Sequence, residues 1–181
     1  MSKRSLATFA GLLASFFLWV GCQSGPQRGN PPMALADFVD LDRFMGTWYV
    51  HGYTPTAIDG NAYNATETYA RNEQGRIETT YRFNAGGPEG EAKTYQPTGR
   101  VYDTTSNAEW RMTFFGLITS PYLILYVSDD YSRTVIGHPD RDLAWIMTRS
   151  PQIDAATYET LRAELVRRNF DLSTLQRVEH R

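Results

Sequence analysis

The segment Phe44-Met45-Gly46-Thr47-Trp48-Tyr49 decides the fold. It opens the first strand-like run of the chain, yet it sets a glycine, which weakens a strand, two residues before the bulkiest side chain available. An indole placed there needs a broad apolar surface to pack against, and the next hundred residues supply one. Strand-like runs follow one another, with predicted spans 46–52, 62–71, 76–84, 92–103, 108–115, 122–128, 133–137 and 143–149. The links carry Asn72-Glu73-Gln74-Gly75, Gly86-Gly87-Pro88-Glu89-Gly90, Thr105-Ser106-Asn107 and His138-Pro139-Asp140-Arg141-Asp142, all suited to hairpins or short loops. Eight antiparallel runs in succession predict an all-β fold, an eight-stranded up-and-down barrel, which leaves no free sheet edge.

Period-two patterning assigns the inner wall. Ile77, Thr79, Tyr81 and Phe83 share one face, with Glu78, Thr80 and Arg82 on the other; Trp110, Met112 and Phe114 oppose Arg111 and Thr113. Glu67 has the parity of Ala65 and Tyr69, so it faces inward beside Tyr69. Runs 122–128 and 143–149 are apolar on both faces, as in a strand covered from both sides; from the first of them Leu123 and Leu125 are placed on the cavity wall. The outer cover is one helix. Asp154 is its N-cap, Ile153 and Tyr158 stand at hydrophobic-staple spacing, Tyr158, Leu161 and Leu165 form an apolar stripe, and Asn169 suits a left-handed stop. The helix is expected outside the barrel.

In such a barrel the start of the first strand and the end of the last lie together at one end. Trp48 and Arg149 therefore meet there, Gly46 gives the backbone room, and an arginine over an indole contributes about 0.5–2 kcal/mol. The segment Ser128–Tyr131 falls at the same end. Gly46-Thr47-Trp48-Tyr49, Ser128–Tyr131 and Ala144–Pro151 resemble, in order, the three motifs of the lipocalin family, in its bacterial outer-membrane lipoprotein branch. The resemblance spans Val39 to about Val178. The middle segment departs from the usual Thr-Asp-Tyr, reading Val127-Ser128-Asp129-Asp130-Tyr131.

The amino terminus reads as a lipoprotein leader. Lys3 and Arg4 precede an apolar stretch from Leu6 to Val20, and Gly21 stands before Cys22, the only cysteine. Residues 1–21 are expected to be cleaved, Cys22 to be lipidated, and 22–36 to form a tether ahead of a barrel domain at 37–181. Trp19 replaces the leucine usual three positions before such a cysteine. Several acyl chains at about 0.8 kcal/mol per methylene would anchor the protein firmly. Gln23 after the cysteine, rather than Asp, implies by the same resemblance an outer-membrane address, lipid-anchored and facing the periplasm.

Net charge is −2, without a basic run or interleaved aromatic and basic residues, which argues against a nucleic-acid partner. The chain has no Gly-x-Ser-x-Gly, zinc-helix spacing or phosphate loop, so no enzyme, metal or cofactor is expected. His138 belongs to a turn and His51 has no evident nucleophile. The resemblance implies a carrier of fatty acids, lysophospholipids or similar amphiphiles. Its cavity is expected to be lined by Glu67, Tyr69, Tyr81, Phe83, Trp110, Met112, Phe114, Leu123 and Leu125, with Glu67 toward a headgroup and Tyr53–Asn61 as a lid. The sequence sets neither the ligand nor the oligomeric state, so a homodimer stays open. A lipid-modifying enzyme and a filled structural barrel are the alternatives.

Overall fold

The computed structural model describes residues 32–181; the leader and Cys22 lie outside the described residues. Ten strands and two helices follow: α1 (Leu41–Phe44), β1 (Gly46–Tyr53), β2 (Ala62–Arg71), β3 (Ile77–Ala85), β4 (Glu91–Tyr95), β5 (Thr98–Val101), β6 (Glu109–Phe114), β7 (Ile118–Val127), β8 (Arg133–Gly137), β9 (Ala144–Thr148), α2 (Ala155–Arg167) and β10 (Gln176–Arg177). Paired strands are antiparallel throughout, in the order β1-β2-β3-β5-β6-β7-β8-β9 with β4 beside β3, and β1 pairs with β9 to close the barrel. β10 adds to β1 where β2 has peeled away.

The expected strand 92–103 is broken into β4 and β5 at Gln96-Pro97. Proline has no N–H to give the ladder, while its carbonyl accepts from Thr79 N at 3.1 Å. β5 pairs with β3 and β6, but β4 pairs only with β3, so its outer edge is free. That edge carries Glu91 and Lys93, an ion pair at 2.6 Å, and charges of this kind discourage strand addition. β7 starts four residues earlier than expected, so the expected 116–121 loop shrinks to a tight turn with Phe115 at φ 51° and Gly116 at φ 69°.

Two apolar clusters divide the core. One fills the barrel; the other lies between its outer wall and α2. The α2 side chains Tyr158, Leu161 and Leu165 face the second cluster, whose barrel side includes Val135 and Ile146. Asp154 accepts from Thr157 N at 2.6 Å, and Asn169 stops the helix at φ 59°. Burial of those three residues contributes roughly 1.5–3 kcal/mol each before entropy. Part of the stretch 22–36, expected to be a tether, is packed on the barrel: Met33 and Leu35 pack on the outer cluster, and Ala36 N donates to Ile124 O at 3.0 Å. Apolar side chains in this short stretch lay it on the wall. No helix among the described residues is long and apolar enough to cross a membrane.

Candidate functional site

At the closed end, Gly46 takes φ 94°, a left-handed conformation costly for any side chain. Arg149 Nη1 lies 3.3 Å from where a Cβ would sit. The guanidinium carbon stands 3.8 Å above the Trp48 ring. Its N–H groups donate to the carbonyls of Thr47, Arg43, Phe44 and Met45 at 2.8–2.9 Å and of Tyr131 at 3.4 Å. Burial draws the Arg149 pKa down from its usual value. Trp48 Nε1 donates to Phe44 O at 2.9 Å, and Phe44 packs edge-on to Trp110 at 5.4 Å between centroids, making the floor. The Tyr131 hydroxyl accepts from Asp40 N at 2.7 Å and its ring carries Arg43 at 4.1 Å, so it ties α1 across the base.

Above that floor lies a cavity of about 110 Å³ beneath the β1–β2 loop. The loop is held shut through Asp59. Its carboxylate accepts from Thr56 N and Oγ1, both at 2.7 Å, and from the Tyr81 hydroxyl at 3.0 Å; its carbonyl accepts from the Tyr53 hydroxyl at 2.6 Å. Deeper in, the hydroxyls of Tyr69 and Tyr122 donate to one oxygen of Glu67, Oε2, the latter at 3.4 Å. Burial pushes the Glu67 pKa up to about 8, and the Asp59 charge adds to the shift; the Tyr122 bond opposes it. Burial also raises Tyr81 and Tyr122, with the Asp59 and Glu67 charges respectively reinforcing it. Thr79 Oγ1 lines the same space, buried and without a hydrogen-bond partner.

Of the residues expected on the wall, Glu67, Tyr81, Met112 and Phe114 reach the cavity. Tyr69 and Trp110 sit lower, packed against Phe44, and Phe83 stacks between Tyr81 and Tyr95 at 5.2 and 6.2 Å. Leu123 and Leu125 do not line it: they point outward into the cluster under α2. Their run is apolar on both faces, so its pattern does not reveal which face is inner. The register does: Trp110 lies opposite Tyr122, and directly opposed residues share a face, which turns Tyr122 inward and Leu123 outward. Tyr122, Trp145 and the loop residues Thr56, Ile58 and Asp59 are cavity groups that sequence reasoning missed. Pairing with Trp110 was the available signal for Tyr122; nothing local marks Asp59.

The histidines lie elsewhere. His51 packs against His180 at 5.0 Å and contacts Thr148 Oγ1 and Ser150 O at 3.0 Å each. Desolvation drives its pKa down to about 4, with His180 and Arg177 adding to the effect. His138 stands 3.6 and 3.3 Å from Asp140 and Asp142 in the β8–β9 loop.

The lipocalin-like domain family model matches residues 39–180. The chain belongs to the lipocalin family. Among its relatives, this lipocalin is 28% identical over 160 residues to the outer membrane lipoprotein Blc of Escherichia coli K12, covering 87% of each chain. It is 26% identical over 151 residues to temperature-induced lipocalin-1 of Arabidopsis thaliana, covering 80% and 81%. Solved structures share the lipocalin barrel at low identity. Insecticyanin from the tobacco hornworm Manduca sexta superposes with a TM-score of 0.63 at 18% identity over 81% and 84% of the chains. The cockroach allergen Per a 4 gives 0.62 at 20% over 83% and 93%.

Proposed function

We propose that this lipocalin is a lipid-anchored carrier at the bacterial outer membrane. It holds the apolar part of a fatty acid, lysophospholipid or similar amphiphile in its barrel for storage or transport, and is fixed through an acylated Cys22 on the periplasmic side. The observation that carries the reading is the cavity itself. It is walled by Tyr81, Met112, Phe114, Tyr122 and Trp145 and covered by a loop held through few side-chain bonds. The likeness to outer membrane lipoproteins Blc supports the address.

The cavity sets a limit on the ligand. A closed cavity of about 110 Å³ is small for a tail of about fourteen methylenes. The closed form therefore accepts one end of an amphiphile, and a long tail enters only when the 54–61 loop swings away. Each methylene buried then contributes about 0.8 kcal/mol before ordering costs. Native mass spectrometry of the protein taken from its own membrane tests the proposal: a diacyl or triacyl mass on Cys22 and one releasable amphiphile per barrel are expected. A bare cysteine would refute the anchor. Failure to bind any lipid, the fluorescent fatty acid included, in a fluorescence displacement assay would favour a filled barrel. Turnover of the bound lipid would favour an enzyme.

A further inference from the structure

The hydrogen-bond inventory of the cavity is one-sided. Each tyrosine hydroxyl has one proton to give, and all three are engaged: Tyr69 with Glu67, Tyr122 with the Tyr69 hydroxyl at 2.5 Å and with Glu67 at 3.4 Å, and Tyr81 with Asp59. What remains facing the space is chiefly acceptor capacity, in the two carboxyl groups, with the unpartnered hydroxyl of Thr79 able to accept or to donate. Glu67, Asp59 and Thr79 are 7%, 3% and 4% exposed. Among the described residues that line the cavity, none is Lys, Arg or His. The remaining wall is rich in π-faces: Tyr81, Phe114, Tyr122 and Trp145, the last two stacked at 6.2 Å. Acidic oxygens beneath aromatic rings, with no cation of the protein's own, are complementary to a cation that brings its own N–H donors.

We infer that the inner end of this cavity is a site for an organic ammonium, bound head-first with Glu67 as its counter-ion and Thr79 as a further acceptor, its alkyl part leading toward the mouth. The inference rests on the carrier reading above and narrows its ligand class. A carboxylate or phosphate at that depth would face Glu67 and Asp59 with no compensating charge, so anionic amphiphiles lie with their heads at the rim. Without a ligand the charge problem is solved differently. The Tyr69 hydroxyl, itself bonded to that of Tyr122 at 2.5 Å, occupies Glu67 Oε2, which leaves Oε1 to carry a proton, in keeping with the raised pKa. Entry of the ammonium displaces that proton to solvent, and one positive charge replaces another. The groups facing Glu67 in this exchange are Asp59 from the loop, Tyr69 on β2, Tyr81 on β3 and Tyr122 on β7.

Calorimetry of the folded barrel with hexylammonium, hexanol and hexanoate tests this, since an alkylamine keeps its charge to about pH 10. At pH 8 hexylammonium is expected to bind about tenfold or more tightly than hexanoate. Its affinity should fall about tenfold per pH unit from pH 8 to 6, with proton release, while that of hexanol stays level. Glu67→Gln should remove the slope and weaken the ammonium, and Thr79→Val should weaken it less. Equal or tighter binding of hexanoate, or a pH-independent ammonium affinity, overturns the inference while hexanol binding upholds the carrier. Binding of none of the three, together with failure of long-chain probes, overturns both.

Discussion

The two ends of the barrel solve opposite electrostatic problems. At the closed end a cation, Arg149, is met by five backbone carbonyls and an indole, with no carboxylate among its partners. In the cavity two carboxyl groups are met by tyrosine hydroxyls and aromatic rings, with no cation among the described lining residues. All three guanidinium nitrogens donate to fixed carbonyls, Nη2 sharing its protons among three of them, so that site is complete as folded. The acids have spare acceptor capacity, so theirs is complete only with a proton or a ligand. Permanent closure and reversible filling thus use the same chemistry with the signs exchanged.

The contrast can be broken first at the closed end. Arg149→Ala strands several partly buried carbonyls and uncovers Trp48, and about 3–4 kcal/mol of stability should be lost in urea unfolding. Arg149→Lys, with three donors in place of five, should recover under half of it.

The cavity end is probed by pH. The folded pKa of Glu67 is raised to about 8, above its unfolded value. Between the two values the unfolded chain has released the proton and the native state retains it. The stability associated with the neutral acid is therefore full below the unfolded pKa and declines as pH rises toward 8, by about 1.4 kcal/mol per unit. Glu67→Gln should flatten that decline; an unchanged slope in unfolding midpoints between pH 5 and 8 would remove Glu67 as its source.

Smaller effects follow nearer the rim. Tyr81→Phe removes a bond to the loop and should cost about 1 kcal/mol, with faster amide exchange confined to residues 54–61. Leu117, 88% exposed at the tip of the β6–β7 turn, should tolerate Ser within about 0.5 kcal/mol.

The closed end was legible in the sequence because it depends on strand order alone: alternate strands start there, so Trp48 and Arg149 had to meet. The same holds for α2, whose cap, stripe and stop are local signals. Alternation placed Tyr81, Met112 and Phe114 correctly. It could not place Leu123 and Leu125, whose run is apolar on both faces and needs a partner strand to fix its parity. Nor could it find Asp59, a loop residue whose role depends on Tyr81, 22 positions away. Nor does pattern give the size of the cavity: it says which side chains point inward, while free volume depends on how far rings such as Tyr122 and Trp145 extend toward one another.

The break at Gln96-Pro97 has a mechanical consequence. A barrel laced by hydrogen bonds all round can be loaded only from above. Here the upper half of the wall has an unlaced seam where β4 lacks a second neighbour, bridged by the edge-on contact of Tyr95 with Phe115 at 6.1 Å. Parting two rings is cheaper than unzipping a ladder, so the wall yields more easily along this seam than between two fully paired strands.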